Sequence, residues 1–523
     1  MSAMLLPLAD FTAPKIEYNE LAPLLVVFGA ACVGVLAEAF LPRPLRHLVQ
    51  LAITVVAVVV SGVLTGILMN QKKELLAAQG AISVDGPALF TWVILLALTL
   101  ISVLLFAERS IDGGLSAFAG QAAAVPGSEA EREGTAARIE HTEIFPLTLF
   151  AVGGMMLFAA SNDLLVLFVA LEVFSLPLYL LCALARRRRL ISQEAALKYF
   201  LLGAFASAFY LFGMALLYGY AGRVDFGGIH DASQTTTASQ VLLLGGIALV
   251  SVALLFKVAA VPFHVWTPDV YQGAPTPVTA LMAACTKVAA FGGLLRLLYV
   301  AFDRVEWDIE PVIGIIAVLT MLIGAILAAT QTDLKRLIAY SSIANAGYLL
   351  IGVLALNREG LSSSMFYLGA YGFTVIAAFA VITLVRDEDG EATHLSRWAG
   401  LGRGSPLVAG LFTFLLLAFA GIPLTSGFTS KFAVFSAALG VGGPWQIVMV
   451  IVGVVTSMVL AFPYLRVVVM MWLSPPAEHA PVVAIPGAYT SAALMVGVLA
   501  TLILGVYPSP LLQLASDAAL FSR

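Results

Sequence analysis

Long apolar runs alternate with short polar or charged breaks along almost the whole chain. The runs have the length a bilayer requires, about 20 residues per helix. Fourteen can be drawn, each ending where charge or proline intervenes. The first eight lie near 21–41, 47–69, 87–106, 143–160, 163–185, 194–221, 239–272 and 275–300. Six more lie near 311–330, 333–356, 363–386, 405–440, 445–473 and 486–512. The pattern predicts an all-α polytopic membrane protein of about fourteen transmembrane helices. Two stretches, 239–272 and 405–440, are over-long and interrupted, and each is read as two half-helices around a break.

Composition strengthens this picture. Hydrophobic residues make up 61% of the 523 positions and charged residues only 11%, with a mean hydropathy of +0.99. Soluble domains do not have this make-up. A net charge of −4 spread over this length argues against a nucleic-acid partner and leaves the lipid bilayer as the surrounding medium. Cys32, Cys182 and Cys285 are far apart, each in an apolar run, and are read as buried structural thiols without metal spacing. No basic n-region precedes the first apolar stretch, so it is expected to be a retained helix and not a cleaved signal. The chain has no CxxCH, dinucleotide fingerprint or phosphate loop, which assigns any redox chemistry to a partner.

The spans group into blocks. Residues 1–106 give three N-terminal helices, 143–300 a first set (helices 4–8) and 311–473 a second (helices 9–13), with a C-terminal helix in 486–523. The interrupted helices, 174 residues apart by Lys257 and Lys431, fall in corresponding places. An odd number of spans per set makes the two repeats inverted. Residues 107–142, rich in Ala, Gly and Glu, are expected to form a cytoplasmic, disordered loop. With the N-terminus outside, inside loops would hold 14 Lys and Arg, including the run Arg186–Arg189, and outside segments 7. That bias predicts both termini on the outer side.

Charges inside the spans are the candidate chemistry. Lys257 and Lys287 flank the proline-rich break of 256–288, where Pro262 removes the amide that would bond the carbonyl of Val258. Glu172 lies nine residues into its span, near mid-membrane at ~1.5 Å per residue, where a lone carboxylate either protonates or finds a cation. Lys431 follows a second break in which Pro423 would free the carbonyl of Phe419. A static ion pair between helices is the alternative for Glu172 and Lys257. His264 could relay protons within the break or simply satisfy freed carbonyls. Snorkelling to the polar face explains Lys198 as well as function does. Lys335 and Arg336 are read as positive-inside anchors, and Arg296 and Arg466 as end-of-span or packing residues.

Three strings go further. VPFHVWTPDVYQGAPTPVTALMAACTKVAAFGG, QTDLKRLIAYSSIANAGYLL and GIPLTSGFTSKF resemble the antiporter-like membrane subunits of respiratory complex I, and among them the N-type branch. The resemblance covers roughly 140–473. It implies fourteen helices with two inverted five-helix repeats and broken helices 7 and 12. It also implies a proton-translocating, non-redox subunit of NADH:quinone oxidoreductase in the bacterial cell membrane. The family's glutamate and lysines fall on Glu172, Lys198, Lys257, Lys287 and Lys431, and its histidine on His264. No cofactor would be bound by this chain; NADH, FMN, iron–sulfur clusters and quinone would sit in partner subunits. Neighbours would be K-like and M-like membrane subunits. M-like chains would carry glutamate at the position of Lys431, and L-like chains would continue into a long lateral helix. The insertion at 107–142 departs from the family pattern.

These readings predict a mid-membrane path through Glu172, Lys257, Lys287 and Lys431. Quinone reduction elsewhere would separate the Glu172–Lys257 pair, send a proton from Lys257 towards Lys287 and let Lys431 serve the outer half-channel. Two rivals stand beside this reading: a component of a multi-subunit sodium/proton antiporter, and a scaffold that has lost transport.

Overall fold

A computed structural model describes residues 16–522 apart from 112, 122, 138, 236–238, 304, 389 and 477–480. Of the cations counted for topology, Lys15, Arg138, Arg304 and Arg523 lie outside the described residues. The chain is helical nearly throughout. It begins with α1 (Tyr18–Phe40), α2 (Arg43–Asn70) and α3 (Gly86–Ala107), with a hairpin of β1 (Leu75–Ala77) and β2 (Ile82–Val84) between the last two. A short α4 (Glu129–Ala136) precedes α5 (Ile144–Ala160), α6 (Leu164–Cys182), α7 (Arg189–Ala221), α8 (Phe226–Thr235) and α9 (Gln240–Val258). Next come α10 (Trp266–Gly273), α11 (Thr276–Leu281) and α12 (Lys287–Arg296), the last two joined by a π-turn at Met282–Thr286. Then follow α13 (Glu306–Thr330), α14 (Leu334–Val353) and α15 (Arg358–Leu384). After a small sheet of β3 (Val385–Asp387), β4 (Gly390–Glu391) and β5 (Val482–Val483) and a short α16 (Leu401–Gly404) come α17 (Pro406–Ala420) and α18 (Ser426–Val441). The chain closes with α19 (Pro444–Leu473), α20 (Ala488–Val506) and α21 (Ser509–Asp517).

Among the described residues, eleven helical stretches are long and apolar enough to cross a membrane, and α5 and α17 are shorter apolar helices. This is a polytopic membrane architecture, because a helix satisfies its own backbone where no water can. Several helices start where a side-chain oxygen can cap free amides: Asp85 accepts from Ala88, Asp163 from Val166, Asp333 from Arg336 and Asn357 from Gly360. The stretch Thr276–Ala301 is wholly enclosed and α15 nearly so, whereas α1 and α7 keep broad apolar faces open. Helices apolar all round form the centre, and those facing lipid form the rim. Cys182 and Cys285 are buried, but Cys32 is exposed on α1, where an apolar run meets the surroundings instead of a core.

Both interrupted stretches are broken. The first ends at Val258, passes through Ala259 at φ 63° and restarts at Trp266. The break therefore lies ahead of Pro262, and the exposed carbonyl that is answered is that of Phe256, which accepts from the Trp266 indole at 2.9 Å. The Val261 amide donates to Thr320 Oγ1 at 3.0 Å. The second break spans Gly421 to Thr425, with Gly421 at φ 82°. Here the expected carbonyl is the one left over, and Lys431 takes it. The two half-helices press together at Gly427, where a Cβ would stand 1.8 Å from the Ala418 carbonyl oxygen. Gly427→Ala must therefore push α17 from α18, an overpacking that costs about 1–3 kcal/mol. Membrane immunoblots are expected to show several-fold less subunit; a wild-type level would mean that the halves slide apart freely.

Residues 107–142 differ from the disorder their polarity suggests. Phe118 is fully buried against Phe106, and its neighbour Ala119 donates to the Leu184 carbonyl at 2.8 Å. Arg186 binds the carbonyl of Ser116 at 2.8 Å, and Arg189 pairs with Glu131 of α4 at 3.0 Å. A low average hydrophobicity conceals one well-placed aromatic ring, and the arginine run supplies donors for the segment's backbone.

Candidate functional site

Lys257 occupies the last turn of α9 and is buried. Its ammonium donates to Ser175 Oγ on α6 at 2.7 Å. The rings of Phe174, Tyr199 and Tyr179 surround it at 5.0, 5.2 and 5.5 Å. Glu172 stands one turn before Ser175 on the same helix, partly buried, and accepts from Ser207 of α7. The two expected partners therefore reach one face of α6, but no ion pair joins them. Ser175 stands between, its own hydroxyl donating a hydrogen bond to the Leu171 carbonyl.

Lys287 follows directly on the π-turn, also buried, and donates to both the carbonyl and the hydroxyl of Ser342 on α14, the latter at 2.7 Å. The Tyr371 ring lies 5.2 Å away. Lys431, buried in α18, donates to the carbonyls of Phe419 and Ala420 at 3.1 and 3.2 Å and to Ser457 Oγ at 2.8 Å, with the Tyr348 ring 4.9 Å away. Neutral oxygens and an aromatic face hold all three lysines. None pairs with a carboxylate among the described residues.

One face of α14 connects the second lysine to the third. Ser341 bonds Tyr464, Asn345 accepts from Tyr367 and donates to the Ser341 carbonyl at 2.8 Å, and Tyr348 donates to Thr456 at 3.3 Å. These residues recur at helical spacing, so that Ser342 meets Lys287 at one end and Tyr348 meets Lys431 at the other. A cavity lined by Asn345, Tyr371, Thr374 and Lys431 has room for about one water molecule. Reasoning from charge alone passed over this stripe. Its signal was Ser, Asn and Tyr three and four residues apart inside an apolar helix.

The other predicted residues lie apart from the three lysines. Lys198 is partly exposed and pairs with Glu194 and Asp269, both at 2.7 Å. Asp269 also takes Arg336 at 2.6 Å. His264 sits half-buried in the first break, and its Nδ1 finds no hydrogen-bond partner among the described residues. Lys335 is not a surface anchor: it is buried and pairs with Glu391 at 2.9 Å. Arg296 is an interior ion pair, with NH1 and NH2 on the two oxygens of Asp85 at 2.8 and 2.6 Å and both side chains fully enclosed. Asp85 and Asp269 were missed because each stands near the end of an apolar run, where carboxylates are commonplace, and Glu391 because it stands among other charges in the stretch 386–391. No group of metal-holding side chains occurs among the described residues.

Burial strips water from the three ammonium groups, and hydroxyls and carbonyls replace only part of that solvation. Protonation at each then responds to any charge that approaches, and the intervening hydroxyl groups both donate and accept. Each of the three amino groups can hold a proton within the fold, beside hydroxyl groups of a neighbouring helix.

The family described as NADH:quinone oxidoreductase/Mrp antiporter, transmembrane, matches residues 161–459. NADH-quinone oxidoreductase subunit N of Salinispora arenicola (strain CNS-205) is 63% identical, covering 99% of this chain and all of that one. The protein of the same name from Rhodococcus opacus (strain B4) is 57% identical over 98% of each. A chain of respiratory complex I from Thermus thermophilus superposes with a TM-score of 0.75 at 30% identity, covering 94% of this chain and 99% of that one. A chain of the Mrp complex from Dietzia sp. DQ12-45-1b shares the fold, with a TM-score of 0.79 at 24% identity over 96% and 97%.

Proposed function

This chain belongs to the NADH:quinone oxidoreductase/Mrp antiporter transmembrane family, and from that premise we propose that it translocates protons as an N-type membrane-arm subunit of a bacterial NADH:quinone oxidoreductase. The observation that carries the reading is the set of three buried lysines, each held without a carboxylate, with Lys287 and Lys431 linked through the polar face of α14. A static structural cation would be expected to have an acidic partner, as Arg296 has. Lysines that must gain and lose a proton are served better by dipoles that tolerate both states.

In this proposal Glu172 receives the electrostatic signal. Its charge acts on Lys257 across the Ser175 hydroxyl, Lys257 exchanges protons with Lys287, and Lys431 serves the opposite half-channel. Lys198 stands with Asp269 and Arg336 near the arginine-rich face, and His264 lines the first break. We take the arginine-rich face as cytoplasmic and both termini as external. The spans are taken as fourteen, with helices 4–8 and 9–13 as inverted repeats. K-like and M-like subunits would flank the chain in the cell membrane, and NADH, FMN, iron–sulfur clusters and quinone would reside in partner subunits.

Purification of the native assembly through a tag on this chain tests the reading. Flavin and iron–sulfur subunits should co-purify, and NADH oxidation in proteoliposomes should drive proton movement. Cation exchange driven by a preset sodium gradient, with no redox subunit present, would instead assign the chain to an antiporter.

A further inference from the structure

Lys257 and Lys287 are held by different helices, and α10 lies between their surroundings. It packs against α7, which carries Tyr199, and against α14, which carries Ser342. Trp266 opens α10; its indole binds the Phe256 carbonyl next to Lys257, and its ring stacks on Tyr199 at 4.6 Å. One residue on, Thr267 begins a face that Tyr271 continues a turn later. The Tyr271 hydroxyl approaches Ser342, whose own hydroxyl accepts from Lys287 at 2.7 Å. The phenols of Tyr199 and Tyr271 lie within electrostatic reach of each other. Hydroxyl groups therefore stand at intervals from the aromatic cage of Lys257 to the oxygen that holds Lys287.

Two of these hydroxyls have no structural use. Tyr199 and Thr267 are 0% and 1% exposed, yet Tyr199 Oη and Thr267 Oγ1 have no hydrogen-bond partner among the described residues. A hydroxyl buried without a partner is a net cost to folding, which an apolar group of the same shape avoids. Phenylalanine at 199 would keep the stack on Trp266, the edge contact with Tyr179 at 4.6 Å and the ring face 5.2 Å from Lys257 Nζ. Packing thus gives no reason for the oxygen. We propose that Tyr199, Thr267 and Tyr271 form the proton relay between Lys257 and Lys287, with water completing the row. The inference rests on the proton-translocating reading above. Each hydroxyl accepts a proton on an oxygen lone pair and releases its own on the far side. Lys257 ends as a neutral amine, a neutral Lys287 becomes an ammonium, and every hydroxyl keeps one proton. No electrons move.

The test is Tyr199→Phe in the whole assembly, reconstituted in proteoliposomes, with protons pumped per electron and the amount of subunit both measured. The ratio is expected to fall several-fold. The subunit should stand at or above its wild-type level, because the variant loses an unpartnered oxygen and no packing. Tyr271→Phe should lower the ratio in the same way. Lys257→Met, run beside them, separates this inference from the reading beneath it. Normal pumping by Lys257→Met would remove the translocation reading itself. Loss of pumping there, with an unchanged ratio in Tyr199→Phe, would overturn the relay alone. A lower ratio matched by an equal loss of subunit would mark a structural hydroxyl and overturn the relay too.

Discussion

Replacing Lys257 by methionine in the assembled complex should reduce NADH-driven proton pumping in proteoliposomes to background, with the subunit still present at normal level. Methionine keeps the length and the apolar stem of the side chain, so the cage of Phe174, Tyr179 and Tyr199 remains filled. The ammonium is lost, and with it the hydrogen bond that Ser175 Oγ accepts at 2.7 Å. Ser175 keeps its bond to the Leu171 carbonyl, so no hydroxyl is left stranded. The helix end is also undisturbed, because the Phe256 carbonyl belongs to Trp266. What disappears is the ammonium that faces Glu172 across Ser175. An unchanged ratio of protons pumped to electrons transferred would sink the assignment and favour a scaffold.

The largest stability effect should come from Arg296→Leu. Both charged groups of its pair are fully enclosed. Asp85 also accepts from Ser83, from the Ala88 amide at the start of α3 and from the Ser522 amide near the chain's end. Removing the guanidinium leaves a buried carboxylate without its counter-charge, a loss of about 3–5 kcal/mol. The subunit is expected to fall below detection in membranes and to be missing from the purified complex. Asp85→Leu should do the same. The double replacement Arg296→Leu with Asp85→Leu should recover part of the level, because two apolar groups strand no charge. If the double variant is no better than either single one, the pair matters for something other than mutual neutralisation.

Much of this architecture was legible in hydropathy, because a bilayer imposes a nearly fixed length on every helix and penalises any unpaired backbone group. The two breaks were legible as well, since proline and glycine inside over-long apolar runs leave few alternatives. The partners of the lysines were not. Ser175, Ser342 and Ser457 are unremarkable in composition, and nothing in their positions along the chain says which ammonium they will meet. Serine in an apolar helix commonly bonds its own backbone, so the residue type alone gives no direction. Residues 107–142 mark a different limit. An average over polar positions conceals Phe118, whose burial fixes the segment. Asp85 and Arg296 are separated by 211 positions, and only the packing of α12 beside α3 brings them together.

The two broken helices solve the same problem with unlike side chains, and the difference constrains motion. At the first break an indole that never ionises keeps the carbonyl of Phe256 occupied. Lys257 can swing away while its helix end stays intact. At the second, Lys431 itself occupies the carbonyls of Phe419 and Ala420. Every departure of that ammonium uncovers the Phe419 carbonyl, at about 1–3 kcal/mol while it is without a partner, and leaves the Ala420 carbonyl to Ser457 alone. One lysine is a passenger on its helix, whereas the other is a latch, and the latch opens only when water or a moving backbone takes its place.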